Sequence, residues 1–398
     1  MKRDTDVLIV GAGMVGATLA ALLADTGLRV LVADAGEDPR KTPAEGSMLR
    51  VSALGRAAAR VLDAAGAWDA LQSDAAPYRS MVVWDAAQDS ELRFSAQDAA
   101  VEQLGWIVSN SAVQRACLDR IEVFWQHAVE SLEIDEDGAL VRLGQRRVRC
   151  ALVIGADGAR SRVRELAGIE TTHASYGQLG VVTTIQTERP HEDTAWQRFL
   201  PDGPVAFLPL ADGQCSLVWS LPLEEAERVL ALSDDAFCAE LSEASAHRLG
   251  RVMSCGARAG FPLSRAHAYE YVKPRVALVG DAAHVVHPLA GQGANLGLLD
   301  AAALAEVLAN EAEHGREPGA WLALRRYARW RRAHNALVQE SLDAIHHGFR
   351  SQQPLVQALR GWGMGMVDRI GPLKHLMVEY ATGERGDLPK AAKPRPGF

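Results

Sequence analysis

The chain opens with a nucleotide-binding signature that constrains the fold more than any other feature. An apolar run, Val7-Leu8-Ile9-Val10, leads into Gly11-Ala12-Gly13-Met14-Val15-Gly16 and then an apolar helical stretch from Ala17 to Leu23. Strand, glycine turn and helix in that order form the context in which a GxGxxG loop binds a dinucleotide. Gly11 permits the tight turn, Gly13 lets the backbone approach a pyrophosphate, and Gly16 lets helix and strand pack closely, with the anion at the helix N-terminus. Asp34 follows a second apolar strand, Arg29 to Ala33. It lies about 20 residues beyond the glycines, where a carboxylate can accept hydrogen bonds from ribose hydroxyls. Glycine turns also arise merely to join strands, and this unit alone leaves NAD and FAD both open.

A second loop, far along the chain, favours the flavin. Val276-Ala277-Leu278-Val279-Gly280-Asp281 reads as a buried strand that delivers an aspartate at its carboxyl end, the edge of an α/β sheet where ligands bind. Downstream, Pro288-Leu289-Ala290-Gly291-Gln292-Gly293-Ala294-Asn295 leads into an apolar helix from about Leu296 to Leu308. The free N–H groups of its first turn and its dipole suit the edge of a flavin that becomes negative on reduction. A third segment, Leu152-Val153-Ile154-Gly155-Ala156-Asp157-Gly158-Ala159-Arg160-Ser161-Arg162-Val163-Arg164, is again strand, turn and helix start.

An N-terminal GxGxxG, a central DG and a late GD, in that order, resemble the single-component flavoprotein aromatic hydroxylases. The resemblance narrows to the FAD-dependent hydroxylases of ubiquinone biosynthesis through Leu49-Arg50-Val51-Ser52-Ala53-Leu54, Val108-Ser109-Asn110-Ser111-Ala112-Val113-Gln114, Ala206-Phe207-Leu208-Pro209-Leu210, Ser216-Leu217-Val218-Trp219-Ser220 and Phe261-Pro262-Leu263. It runs from Asp6 nearly to the C-terminus. Trp219 to Ala226 and the ending Gly386-Asp387-Leu388-Pro389 look most like the 2-polyprenylphenol hydroxylase branch.

The resemblance implies a Rossmann-like FAD-binding domain, α/β in class, interwoven with a smaller β-sheet substrate domain and followed by C-terminal helices. The corresponding segments are 1–75, 100–172 and 270–345 for FAD, 76–99 and 173–269 for substrate, and 346–398 for the C-terminal helical segment. It implies that FAD is held by Gly11, Gly13, Gly16, Asp34, Arg50, Gln114, Asp157, Gly158, Gly280, Asp281, Gly291, Gln292, Gly293, Ala294 and Asn295. Outside the motif match, Arg50 and Gln114 also suit a solvated arginine and a polar helix face. Ala294 stands where the resemblance leads one to expect a bulkier aliphatic, and a wider cavity is expected there. With one dinucleotide fingerprint, given over to FAD, NADH or NADPH is expected as a visiting reductant and O2 as co-substrate. The family's chemistry passes through a C4a-hydroperoxyflavin that hydroxylates a prenylated phenol or quinol. His284, His287 and Pro288 flank the flavin loop and are the candidate catalytic positions, with a purely structural histidine beside Asp281 as the competing reading.

The rest of the chain fits a flavoenzyme. At 398 residues and 48% hydrophobic content it supports a sizeable core and more than one domain. A net charge of −8 and the absence of recognition motifs argue against nucleic acid. Five widely spaced cysteines without a CxxC pair suit a reducing cytoplasm, and no metal site is expected. Apolar runs are too short to span a bilayer, so at most a peripheral contact with the inner membrane face is expected. No repeat or long linker appears, so the lobes should be woven together. Val181 to Thr187 and Cys215 to Ser220 alternate with the period of a half-buried sheet. Phe207, Pro209 and Trp219 are its candidate pocket walls. Leu355, Leu359, Trp362, Met366 and Ile370 form an apolar stripe at helical spacing, read as packing internally or against a second subunit, with docking on a membrane surface as the competing reading, so a homo-oligomer stays open. Arg325, Arg329 and Arg332 share a helix face that suits solvent, an anionic lipid or an acidic partner. Two other functions remain open: a hydroxylase of a smaller aromatic compound, and a flavin-retaining scaffold for other quinone-biosynthesis proteins.

Overall fold

The computed structural model describes residues 3–41, 50–86, 91–287, 291–350, 353, 379 and 382–395. Its central sheet has six strands in the order Val272–Lys273, Val276–Leu278, Leu152–Gly155, Val7–Val10, Val30–Ala33 and Val123–Phe124. All neighbours are parallel except the edge pair Val272–Lys273 with Val276–Leu278. Val10 lies beside both Gly155 and Ala33, and Gly155 lies beside Leu278. The three motif strands therefore end side by side although they are far apart in sequence. Connections leave the first strand toward both sides, which makes its carboxyl end a switch point of the kind where α/β folds bind ligands. Val7–Val10 and Leu152–Gly155 are buried along their whole length, as strands covered on both faces must be. Helix Met14–Leu23 packs against helix Gln292–Glu313. Its burial between that helix and the sheet explains a nearly continuous apolar sequence.

A larger sheet carries Thr171–Thr187, Cys215–Pro222, Gly203–Pro209, Thr194–Leu200, Ser80–Asp85 and Glu91–Ser95 in sequence across one half, with Ala259–Ala268 and His284–Val285 on the other side of Thr171–Thr187. The alternation at Val181–Thr187 predicts one wet face, but Val181, Val182 and Thr183 are all buried. One face is covered by helices Leu223–Leu230 and Asp234–Ala244, while the other turns inward toward the parallel sheet and its loops. A smaller antiparallel sheet of Val51–Gly55, Gly105–Ser109 and Ala76–Tyr78 stands beside that inner face.

Helix Trp321–Arg350 is continuous across residues 345 and 346, where the sequence reading began a separate C-terminal segment. No proline interrupts that stretch, and the helix seals both lobes: Tyr327 donates to the Leu278 carbonyl at 2.7 Å, while Phe349 stacks on Phe199 at 3.7 Å. The apolar stripe from Leu355 to Ile370 lies outside the described residues. All five cysteines are free thiols. Among the described residues, no helix is long and apolar enough to cross a membrane and no side-chain cluster suits a metal ion.

Candidate functional site

The three glycine-bearing loops meet at the carboxyl edge of the parallel sheet. Gly11 has φ +104°, and a Cβ there would sit 2.4 Å from the Ala156 carbonyl oxygen, so the first loop and the DG segment touch backbone to backbone. A Cβ on Gly16 would lie 2.0 Å from the Gly11 oxygen, whereas one on Gly13 would meet nothing within 4 Å. Gly16 is thus closed by packing and Gly13 faces open space. Asp34 accepts from the Ala12 and Gly36 N–H groups, each at 2.7 Å. A carboxylate has about four lone-pair directions, so Asp34 keeps capacity for two hydroxyls. Gln114 donates to the Ala12 carbonyl at 2.8 Å and leaves its own amide oxygen to accept.

The DG segment is employed differently from expectation. Asp157 caps the short helix Arg162–Leu166, accepting from the Ser161 hydroxyl and from the Arg162 and Val163 N–H groups at 2.7 and 3.1 Å. Its carboxylate is committed to the protein, and Gly158, at φ +77° with open space around it, is the accessible element. Of the three arginines, Arg164 reaches across to donate to the Ala282 carbonyl at 2.8 Å, joining the DG and GD loops.

The GD loop rests on a buried polar cluster. Gly280 has φ +59°, and its N–H donates to Asp300 at 3.1 Å. Asp300 also accepts from His284 Nε2 at 2.5 Å, Arg331 Nε at 2.7 Å and Asn335 Nδ2 at 2.9 Å. Burial pushes the Asp300 pKa up, but the charges and hydrogen bonds of His284 and Arg331 prevail and hold it below the ordinary carboxylate value. His284 is therefore built into the support of the loop. Asp281, beside it, is exposed to solvent. The surrounding protein raises its pKa, against the opposing pull of His284 and Arg50. Arg50 itself is exposed and lies over the Phe261 ring at 5.2 Å.

Gly291, at φ +63°, is the N-cap of helix Gln292–Glu313. By helix geometry the Gly293 and Ala294 N–H groups lie in its first turn, where the helix itself supplies no acceptor. Asn295 is one residue too far into the helix, and its side chain is consumed: Nδ2 donates to the Ala53 carbonyl at 2.8 Å and Oδ1 accepts from the Gly55 N–H at 2.8 Å. It staples the small sheet to the helix. Ala294 is partly buried and packs against the main core.

Beside this N-terminus lies a cavity of about 60 Å3, with Met81, Ala206, Leu208, Ser220, His287 and Gln292 among its walls. Phe207 and Trp219 are buried on the opposite face of the same sheet, packed in the core beneath the two covering helices, and Pro209 shares their parity. Side chains alternate along a strand, so naming the residues one position away moves the whole set to the wrong face. His287 is 1% exposed and stacks edgewise on Tyr176 at 4.8 Å, with His346 at 4.4 Å. Tyr176 donates to Asp343, which also pairs with Arg265. Pro288 lies outside the described residues.

Comparison with known proteins places this geometry. The profile described as FAD binding domain matches residues 4–341. The chain is 40% identical over 388 residues to the ubiquinone hydroxylase UbiL of Rhodospirillum rubrum, spanning 96% of this chain and 90% of that protein. It is 37% identical to the 3-demethoxyubiquinol 3-hydroxylase of Escherichia coli, spanning 96% of this chain and 99% of that one. The chain belongs to the FAD-dependent hydroxylases of ubiquinone biosynthesis. Among solved structures, this hydroxylase superposes on p-nitrophenol 4-monooxygenase PnpA of Pseudomonas putida with a TM-score of 0.77 at 20% identity, over 97% of this chain and 100% of that one. It also superposes on Klebsiella pneumoniae HpxO complexed with FAD and uric acid, with a TM-score of 0.74 at 19% identity, over 94% of this chain and 97% of that one. Both share the fold.

The hydroxylase is a flavoprotein monooxygenase, and its residues fit FAD. The open face of Gly13, the spare lone pairs of Asp34 and the first-turn N–H groups of Gly293 and Ala294 offer what a pyrophosphate, a ribose and a flavin edge require. The supporting residues Asp300, Arg331 and Asn335 escaped the sequence reading. A signal existed: Asp300 is a charge flanked by Leu298, Leu299 and Ala301 to Ala303 inside the apolar run, and buried charges demand partners.

Proposed function

We propose that this hydroxylase adds one oxygen atom to the aromatic ring of a prenylated phenol or quinol, using NADH or NADPH and O2. The observation that carries the reading is the placement of a mostly apolar cavity, lined by Leu208, Met81 and His287, directly against the N-terminus of helix Gln292–Glu313. Bound FAD would supply the redox chemistry, taking electrons from the nicotinamide and activating O2. Gly11, Gly13, Asp34, Arg50, Gln114, Gly158, Asp281 and the first turn of that helix would hold it. Leu208, Val218 and Ala206 exclude water from the ring, while the Ser220 hydroxyl and the Gln197 amide can orient a phenolic oxygen. His287 is the imidazole in this wall, which it shares with the buried Tyr78, and is assigned the phenolic proton, accepted at a ring nitrogen. Tyr176, anchored through Asp343 to Arg265, fixes the orientation of that ring.

The cavity is smaller than the ~150 Å3 that accommodates a benzene-sized guest. Admission of substrate therefore requires Met81 and neighbouring side chains to change rotamer, a movement that suits a flexible thioether side chain. The same small volume favours a second reading, a substrate with a compact ring and no tail. NAD(P)H oxidation by FAD-loaded protein, with a short-chain prenylphenol, a demethoxyquinol analogue and simple phenols compared side by side, discriminates them. Product heavier by one oxygen from the prenylated compounds supports the proposal. Coupled turnover of simple phenols alone establishes the second reading, and full flavin occupancy without turnover of any phenol refutes both in favour of a scaffold.

A further inference from the structure

Helix Trp321–Arg350 presents a face that the hydroxylation site does not use. From Trp321 to Gln339 it carries five arginines and no acidic residue, in a chain of net charge −8. Arg331 is buried against Asp300, but Arg325, Arg326, Arg329 and Arg332 are exposed. At 100° per residue, Arg332, Arg325 and Arg329 fall within one narrow arc next to Trp321. They line a groove of about 870 Å3 between this helix and strand Ala259–Ala268, and Tyr269 and Arg265 stand on its far wall. Among the described residues, Arg325, Arg329 and Arg332 have no acidic partner. Glu270 in the same wall is already paired with Lys273, and Arg265 with Asp343, which leaves Glu340 at the far end as the groove's opposing charge.

Apolar side chains border the arginines. Trp321, Leu322 and Leu337 on the helix are 43%, 79% and 57% exposed, and Tyr269 across the groove is 52% exposed. A soluble phosphate ester would neutralise the arginines and leave these side chains in water. A bilayer surface satisfies both, since phosphate headgroups meet guanidinium while Trp, Tyr and Leu enter the interface.

We propose that this face docks the hydroxylase onto the headgroups of an anionic phospholipid bilayer, with Arg325, Arg329 and Arg332 as the phosphate contacts and Trp321 as the interfacial anchor. The inference rests on the prenylated-substrate reading for its purpose, because such a substrate resides in the bilayer, but not for its geometry. Attraction of about 1 kcal/mol per surface arginine corresponds to roughly fivefold in affinity each, so removing three weakens binding roughly a hundredfold.

The test is flotation of the full-length, FAD-loaded protein with vesicles of phosphatidylcholine alone and of phosphatidylcholine mixed with phosphatidylglycerol. Wild type should float with the mixed vesicles and be released by high salt. The triple variant Arg325→Gln/Arg329→Gln/Arg332→Gln should lose about two orders of magnitude in affinity, and Trp321→Ala should lose several-fold, both with FAD content unchanged. Equal binding of the triple variant overturns the proposal. So does saturable binding of inorganic pyrophosphate to wild type, lost in the triple variant, with no vesicle binding by either. Turnover of a detergent-solubilised short-chain prenylphenol separates the two proposals. Arginine-dependent flotation without any hydroxylation leaves docking intact and removes its stated purpose, while hydroxylation without flotation removes docking alone.

Discussion

Replacing Asp300 with asparagine probes whether the Gly280-Asp281 loop is held from beneath by charge. The carboxylate is fully buried and receives four donors, from Gly280, His284, Arg331 and Asn335. An amide retains one acceptor oxygen, turns the other position into a donor facing donors, and leaves the guanidinium of Arg331, 1% exposed, without its buried counter-charge. Breaking a buried pair from one side costs about 3–5 kcal/mol. With an unfolding entropy of about 2.1 cal/mol/K per residue, a chain of 398 residues has ~0.8 kcal/mol/K, so Tm should fall by about 4–6 °C. The folded pKa of Asp300 lies below its unfolded value, so its contribution is fully present above about pH 4 and is lost only as pH falls through the folded value. The deficit of the variant should therefore be constant across neutral pH. Thermal unfolding of the flavin-free protein gives Tm, and titration with FAD gives the weakening of the loop it supports. Asp300→Asn with Arg331→Met removes the buried charge and counter-charge together while the amide oxygen still accepts from one neighbouring donor, and it should recover part of the loss, because the penalty of a stranded guanidinium is then gone. A Tm change below about 1 °C in Asp300→Asn, or strict additivity in the double variant, would falsify the charge-supported loop.

Gly16→Ala should destabilise the fold by about 1–3 kcal/mol through its clash with the Gly11 carbonyl. Gly13→Ala should leave the Tm of flavin-free protein unchanged and weaken FAD by about tenfold or more, seen by fluorescence titration. On the large sheet, Phe207→Ala should cost about 3–5 kcal/mol while folded molecules keep their turnover, whereas Leu208→Trp should abolish turnover at little cost in Tm; the opposite pattern would mean that the faces are assigned the wrong way round. Burial lowers the pKa of His267 and of His334, so the unfolded chain binds protons that the folded one refuses. Stability should decline as pH falls through about 6.5, and His267→Gln should flatten that slope in melts between about pH 7 and pH 5.

The parts of this fold legible in the sequence were those whose signal is local. Val7–Val10, Leu152–Gly155 and Val276–Leu278 each combine a short apolar run with a glycine turn, and their alignment at one sheet edge follows from α/β topology. A motif marks a position and not which atoms of it remain free, which is why Asp157 and Asn295 look like ligand contacts in sequence and act as cap and staple in space. Phe207 and Trp219 were misplaced because both faces of their sheet are buried and hydrophobicity no longer distinguishes inward from outward. Asp300 and Arg331 lie 31 residues apart on different helices, and no periodicity links such a pair.

The interleaving of the lobes also governs the order in which the chain can fold as it is synthesised. Leu152–Gly155 acquires its second parallel neighbour only when Val276–Leu278 has been made. At about 5–20 residues per second, a gap of roughly 120 residues leaves that fully apolar strand with an open edge for some 6–25 seconds. An unpaired apolar edge recruits other strands. Nascent chains stalled before Val276 should thus be the species that chaperones hold and that aggregate when these are scarce, and the GD loop, for all its role at the cofactor, doubles as the final latch on the parallel sheet.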